Sequence, residues 1–212
     1  MRTVIWDLGG TLVDTYPDVD RTLATAVHAS PDAEDIAEVA QLTRRSSSLA
    51  ISTLAERHGV PEQRLRAAYD ALKDRWARQP PPAMEGARQV LGTVRAGGGS
   101  NLVSTNRDRQ SATVLLEALG LEVEIDDMVC APDGFPRKPD PTMVRVLLER
   151  SGLAPEQCLA VGDRPADVEA AARVGVPGAL LITPGIPLSA PGAVRISSLT
   201  SLLDLLRTPD QG

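Results

Sequence analysis

The sequence predicts an α/β fold, in which a parallel sheet is covered by helices and is interrupted by an all-helical insertion. Six short apolar runs are typical of strands buried on both faces. Helical patterns lie between most of these runs, and this alternation favours parallel strands joined by helices. The predicted strands are Thr3–Trp6, Leu102–Ser104, Met128–Cys130, Leu159–Val161, Ala179–Ile182 and Val194–Ile196.

The segment from residue 17 to residue 82 lacks a convincing strand pattern and carries four helical ones. The third helical pattern ends at Gly59, and the prolines at 80–82 predict a stiff linker back to the sheet. We therefore expect a core domain made of 1–16 and 83–212, with a helical cap domain at 17–82.

Composition excludes several classes of partner. A length of 212 residues suits one core domain with an insertion, and the net charge of −6 argues against a nucleic-acid surface. No apolar stretch approaches the roughly 20 residues that span a bilayer. Cys130 and Cys158 lack the spacing of a zinc site, and two cysteines do not indicate a disulfide framework. We therefore expect buried thiols and a cytoplasmic location. Residues 208–212 are expected to fray.

Polar residues follow three of the predicted strands where each strand ends. These residues are Asp7, the run Ser104–Asn106, and Asp163, and ligands of open parallel sheets bind outside such strand ends. If the three strands are neighbours, these groups meet at one edge. Lys138 lies beside Pro139 in a loop that leads into a helix, and Asp167 follows Asp163.

This set of residue types suits phosphoryl transfer. A carboxylate such as Asp7 can attack phosphorus and form an aspartyl-phosphate. Neighbouring carboxylates repel one another, so a divalent cation is expected between them, and hard oxygen ligands favour Mg²⁺. Thr105 and Lys138 could donate hydrogen bonds to the charge that develops on the phosphoryl oxygens.

The motifs DLGGT at Asp7–Thr11, STN at Ser104–Asn106, RKPDP around Lys138 and GDRPAD at Gly162–Asp167 together resemble the haloacid dehalogenase (HAD) superfamily. They occur in the order and spacing of that family. The insertion is similar to the helical cap of its phosphoglycolate phosphatase and beta-phosphoglucomutase-like branch. The resemblance covers residues 1 to about 185. It implies a Rossmann-like core, Mg²⁺ dependence and a phosphorylated Asp intermediate.

The resemblance also implies roles for individual residues. Asp7 would be the nucleophile and a metal ligand, and Gly9 would offer its backbone carbonyl to the metal. Asp163 would be the main acidic ligand, with Asp167 supporting the metal site directly or through water. The catalytic residues would be Asp7, Thr105 and Lys138, and phosphate would be bound by Gly10, Thr105 (or, less favoured, Ser104), the backbone of Asn106, and Lys138.

Gly9 departs from the family pattern, since the residue two positions after the nucleophile is usually a second Asp. That Asp protonates the leaving oxygen and later activates water. Its loss is expected to reduce the rate by about 10²- to 10⁴-fold, or about 3–5 kcal/mol of barrier. The function stays open between a slow phosphatase of small phosphorylated metabolites and a phosphate- or partner-binding protein without useful turnover.

A third alternative is phosphonatase-like C–P hydrolysis, in which a cap lysine forms a Schiff base. Lys73 is the only lysine of the predicted cap, and its neighbours Asp70 and Asp74 indicate a solvated face. Elsewhere in the cap, His28 and His58 are expected near helix ends as surface residues. The run from Arg44 to Ser48 is expected to form a solvated turn, with a substrate-specificity loop as the alternative.

Overall fold

The computed structural model describes residues 3–207, so the tail at 208–212 lies outside the described range. Within this range the chain forms two compact units. One contains the described residues up to Val13 and from Ala83 onward, and the other is Asp14–Pro82. The sequence-based boundary at residue 17 lies slightly later than this division. In the described part of the chain, no helix is long and apolar enough to cross a membrane.

The first unit contains a six-stranded parallel sheet with the order β3-β2-β1-β4-β5-β6. The predicted α/β class is thereby confirmed. The first strand of the chain lies centrally, between β2 and β4, so its carboxyl end has a strand end on each side. The strands are β1 (Thr3–Trp6), β2 (Asn101–Thr105), β3 (Asp127–Cys130), β4 (Cys158–Gly162), β5 (Gly178–Leu181) and β6 (Val194–Ile196).

The central strands are buried on both faces. Along β1, Val4 and Trp6 join one apolar cluster, whereas Ile5 joins another, as the two-residue period of a strand requires. The indole nitrogen of Trp6 donates to Asn101 Oδ1 at 2.9 Å, so its polar atom is satisfied within the core. The prediction of burial on both faces is wrong for β6, because this edge strand leaves Val194 49% exposed.

Helices of the first unit follow the strands and supply the other half of its core. Gly152 closes one of them in the left-handed conformation that glycine favours. Four helices of the second unit, described below, are numbered α1 to α4. The helices of the first unit are α5 (Ala87–Ala96), α6 (Arg109–Ala118), α7 (Thr142–Ser151), α8 (Pro165–Ala172) and α9 (Leu202–Arg207).

The second unit is all-helical over Asp14–Pro82. Each helix buries at least one apolar side chain, and Trp76 on the last of them also donates its indole N–H to Asp18 at 2.7 Å. Gly59 ends the third helix with a φ of 63°. The helices are α1 (Tyr16–Val27), α2 (Ala33–Thr43), α3 (Ser47–His58) and α4 (Glu62–Trp76).

Arg44 is buried inside this unit, so the solvated turn expected at Arg44–Ser48 is wrong for this residue. Its guanidinium bonds both carboxylate oxygens of Asp20, at 2.9 and 2.7 Å, and stacks over the ring of Tyr16 at 3.5 Å. Burial raises the pKa of Asp20, although Arg44 and Thr43 oppose that rise. The neighbouring Arg45 is exposed, as expected of a turn.

Replacement of one member of this pair should destabilise the helical unit. Arg44→Met is expected to lower the free energy of unfolding by about 3–5 kcal/mol, because it leaves Asp20 buried and uncompensated. Adding Asp20→Asn should recover part of that loss. Chemical denaturation followed by circular dichroism measures both, with Arg66→Met as the control, since the exposed pair of Arg66 with Glu62 contributes at most about 1 kcal/mol. Equal effects of Arg44→Met and Arg66→Met would contradict this account.

Candidate active site

Three carboxylates meet at the carboxyl ends of neighbouring strands. Asp7 directly follows β1, and Asp163 directly follows β4, so parallel pairing of these strands brings the two residues together. Asp167 belongs to the first turn of α8. One oxygen of each of these carboxylates lies within 4.8 Å of an oxygen of the others. The sequence-predicted acids Asp7, Asp163 and Asp167 therefore form one cluster.

A glycine at the end of β4 makes room for this cluster. A Cβ atom at Gly162 would lie 2.3 Å from the Cβ of Asp167, a separation that atoms do not tolerate. The Asp167 Oδ2 atom also accepts the backbone N–H of Arg164 at 2.9 Å. Asp167 is thus both a helix-capping residue and a member of the cluster.

Lys138 lies between two of the carboxylates. Its Nζ atom is 2.5 Å from Asp7 Oδ1, 2.5 Å from Asp167 Oδ1 and 2.9 Å from the backbone oxygen of Ser104. These contacts use all three protons of an ammonium group. Its side chain is 3% exposed, so solvent screens the charge weakly. Lys138 is therefore fixed beside the carboxylate predicted to be the nucleophile.

The charges of the cluster leave an excess of negative charge. Three carboxylates and one ammonium sum to −2 when all are ionised. Burial raises the pKa of Asp7 to about 7; Lys138 opposes this rise, and Asp167 and Asp163 add to it. Burial would lower the pKa of Lys138, but Asp167 and Asp7 outweigh it and hold the pKa above its ordinary value. The ammonium group stays charged, while Asp7 gains a proton readily in the absence of a cation.

The cluster fits a divalent cation by charge and by donor type. The ligand atoms it offers are carboxylate oxygens, which are the ligands that hard cations prefer. A charge of +2 would balance the excess of −2 and would restore the ionised form of Asp7. Thr11 donates its hydroxyl to Asp163 Oδ1 at 2.9 Å, which fixes the orientation of that carboxylate. The three acids could therefore hold a divalent metal ion.

The STN motif lies at the end of β2, beside β1. Asn106 accepts the backbone N–H of Lys138 through its side chain at 2.9 Å, a contact that connects the two motifs. Thr105 Oγ1 accepts the backbone N–H of Arg107, which leaves its own proton available for donation. Among the described residues, the buried Ser104 Oγ finds no hydrogen-bond partner. The preference for Thr105 over Ser104 as a phosphate ligand stays a prediction.

The two glycines of the first motif differ in conformation. Gly10 has a φ of 96°, which disfavours any residue with a side chain, and its N–H donates to the carbonyl of Val13 at 2.8 Å. Its predicted contact with phosphate stays a prediction. Gly9 lies outside the left-handed region. A side chain at Gly9 would therefore cause no strain in the local backbone.

Three contacts of the site escaped prediction from the sequence. In the sequence, Thr11 is recognised only as part of the DLGGT motif. In the structure its hydroxyl donates a hydrogen bond to Asp163. The Ser104 carbonyl and the Arg164 N–H are backbone groups, which carry no signal in a sequence. The G-x-x-x-x-D spacing could have indicated the need for glycine at position 162, since it places Asp167 in the first turn of the helix that follows β4.

Comparison with known proteins agrees with this arrangement. The family model described as haloacid dehalogenase-like hydrolase matches residues 1–175. A phosphoglycolate phosphatase from Rhodospirillum rubrum is 33% identical over all of this chain and 93% of its own length. The crystal structure of a predicted phosphoglycolate phosphatase from Haemophilus somnus superposes with a TM-score of 0.80, at 19% identity and 98% coverage of both chains. A Thermotoga maritima structure assigned as a beta-phosphoglucomutase gives a TM-score of 0.76, at 23% identity and 98% and 99% coverage.

The family match extends well beyond half of the chain and includes all four motifs. The chain belongs to the haloacid dehalogenase-like hydrolases, in their phosphoglycolate phosphatase and beta-phosphoglucomutase-like branch, and is a hydrolase of the phosphatase type.

Proposed function

We propose that this protein hydrolyses a small phosphomonoester in a Mg²⁺-dependent reaction through an aspartyl-phosphate on Asp7. The observation that carries this proposal is the position of Asp7, which lies at the end of a central strand against Lys138 and beside two further carboxylates. The Rhodospirillum rubrum relative is named a phosphoglycolate phosphatase, so a small carboxylated phosphate is the substrate class to test first.

Each residue of the site has its own role in the two steps of phosphoryl transfer. A carboxylate oxygen of Asp7 attacks phosphorus, the bond from phosphorus to the leaving oxygen breaks, and the leaving oxygen takes up a proton. Water then attacks the same phosphorus, releases phosphate and regenerates the Asp7 carboxylate. Lys138 and Thr105 would stabilise the phosphoryl oxygens, and Asp167 holds Lys138 in place. Mg²⁺ held by Asp7, Asp163, Asp167 and the Gly9 carbonyl would neutralise part of the phosphoryl charge.

Among the described residues of the cluster, none is evident for the proton transfers. The position two after Asp7 is Gly9, Thr11 engages one oxygen of Asp163, and Lys138 and Arg164 engage the two oxygens of Asp167. We therefore propose a slow enzyme whose proton transfers rely on water. The same observation supports the second candidate, a protein that binds a phosphoester or partner without useful turnover.

Phosphonatase-like chemistry through Lys73 has less support. A Schiff-base lysine must reach the carbonyl carbon of the substrate, whereas Lys73 Nζ lies 2.6 Å from Asp70 Oδ1 and near the ring of Tyr69. Asp70 is exposed, so these contacts hold the amine on the surface of the helical unit. Borohydride in the presence of phosphonoacetaldehyde should therefore leave Lys73 unmodified.

A phosphatase screen tests the proposed function. We expect phosphate release from small phosphomonoesters, phosphoglycolate among them, which stops with EDTA and returns when Mg²⁺ is added. Asp163→Asn should reduce this activity and raise the Mg²⁺ concentration that it needs. A chain that binds phosphoesters but releases no phosphate above the Asp7→Asn background would support the second candidate instead.

The affinity for Mg²⁺ should increase with pH. The cation and a proton compete for Asp7, whose pKa is raised to about 7, so metal binding must displace the proton below that pH. Affinity should rise about tenfold between pH 6 and pH 8 and then level off. Isothermal titration without substrate measures this change. Asp7→Asn should remove the pH dependence, and equal affinities of the unaltered protein at pH 6 and pH 8 would contradict it.

A further inference from the structure

Both histidines of the chain meet on the surface of the helical cap unit. His28 directly follows α1, and His58 is the last residue of α3. Their ring centroids lie 4.9 Å apart with an angle of 80° between the planes. The chain contains 2 histidines in 212 residues, so their convergence from separate helices is a specific feature of this fold.

Helix α2 adds two carboxylates to this pair. Glu38 Oε2 lies 3.0 Å from His58 Nε2, and Asp35 Oδ1 lies 3.3 Å from His28 Nε2. One ligand atom from each of His28, Glu38 and His58 lies within 4.8 Å of the others. Tetrahedral zinc has bonds of about 2.0–2.1 Å, so small side-chain rotations would bring these atoms into a coordination sphere.

We propose that His28, Glu38 and His58 form a binding site for Zn²⁺ or a similar transition-metal ion, with Asp35 or water as the fourth ligand. Two imidazoles with one or two carboxylates favour zinc over magnesium, because Mg²⁺ prefers an all-oxygen shell. These residues all belong to the helical unit Asp14–Pro82, whereas Asp7, Asp163 and Asp167 belong to the other unit.

Two features around the histidines favour a bound cation. Both histidines stand at helix C-termini, where the helix dipole carries partial negative charge. Arg57 donates to Glu38 Oε1 at 2.9 Å, which orients this carboxylate and leaves Oε2 facing His58. The side chains of His28 and His58 are 30% and 26% exposed, so an ion can reach the site from solvent. A bound metal ion would connect the ends of α1 and α3 to α2.

Titration of the untagged full-length protein with Zn²⁺ in excess Mg²⁺ tests the site, because excess Mg²⁺ competes with Zn²⁺ for the all-oxygen ligands of the acidic cluster. We expect one Zn²⁺ per chain from isothermal titration. His28→Gln, His58→Gln and Glu38→Gln should each weaken binding at least about tenfold, since even the loss of a group behind a ligand has that effect. Glu62→Gln is the matched control, because Glu62 is a surface carboxylate that pairs with Arg66 on α4.

Histidine NMR on the unaltered protein gives a readout that does not depend on the folding of a variant. The imidazole signals of His28 and His58 should shift together and saturate at one equivalent of Zn²⁺. When a chelator removes the metal, both imidazole signals should return together to their positions in the metal-free protein. Unshifted imidazoles, no stoichiometric binding, or unchanged affinity in a folded His28→Gln variant would overturn the proposal.

Discussion

Asp7→Asn should abolish covalent phosphorylation of this protein. An amide oxygen is a far weaker nucleophile than a carboxylate, and the acyl phosphate requires that oxygen. With Mg²⁺ and acetyl phosphate or p-nitrophenyl phosphate, the unaltered chain should form an adduct that is stable in acid and labile to hydroxylamine. Turnover of the variant should fall by at least about four orders of magnitude, the scale on which removal of a nucleophile acts.

The control for this experiment is Asp133→Asn. Asp133 is an exposed carboxylate of the same unit that pairs with Arg109 and is not a member of the cluster. Removal of this exposed pair changes stability by at most about 1 kcal/mol, so adduct formation and turnover should be retained. An adduct that persists in Asp7→Asn would show that Asp7 is not the phosphorylated group, and an adduct that Asp133→Asn also loses would contradict a specific role of Asp7.

The position of Asp7 and Asp163 could be predicted from the sequence for a simple geometric reason. Apolar runs buried on both faces indicate parallel strands, and the carboxyl ends of parallel strands share one edge of the sheet. The polar residue that ends each run is therefore placed as soon as the strands are recognised. The pairing of β1 with β4 and with β2 confirms that placement for the DLGGT, GDRPAD and STN motifs.

Contacts between side chains of distant helices could not be predicted in this way. Arg44 follows α2, and only the packing of α1 against α2 brings Asp20 and Tyr16 to it. The same is true of His28 and His58, which appear as isolated surface residues until the helices pack. A helical pattern indicates which face is buried, but it does not indicate which polar residues of two helices will meet.

Gly9→Asp should raise phosphatase turnover at least tenfold. It places an acid at the position where the family resemblance implies an acid–base Asp, and general acid–base help contributes about 10²- to 10⁴-fold. The substitution suits the site, because Gly9 lies outside the left-handed region, unlike Gly10 with a φ of 96°. Steady-state rates with phosphoglycolate and with p-nitrophenyl phosphate measure the gain.

Gly9→Asn is the matched control for this substitution. The two side chains have nearly the same size, but only Asp can donate and accept a proton near neutral pH. A gain in Gly9→Asp that is missing in Gly9→Asn therefore reports proton transfer rather than a change in the shape of the turn. Equal rates in the two variants would contradict the acid–base explanation.

Substrates with different leaving groups show which of the two chemical steps is slowed by the lack of an acid at position 9. p-Nitrophenolate departs without a proton, so the unaltered chain should phosphorylate Asp7 quickly with this substrate, show a burst of product and accumulate the adduct. Hydrolysis of the adduct still needs a base for water, and Gly9→Asp should shorten its lifetime. Phosphoglycolate needs the acid in the first step as well, so its gain should be the larger of the two. An equal or smaller gain for phosphoglycolate would show that protonation of the leaving oxygen does not limit its hydrolysis.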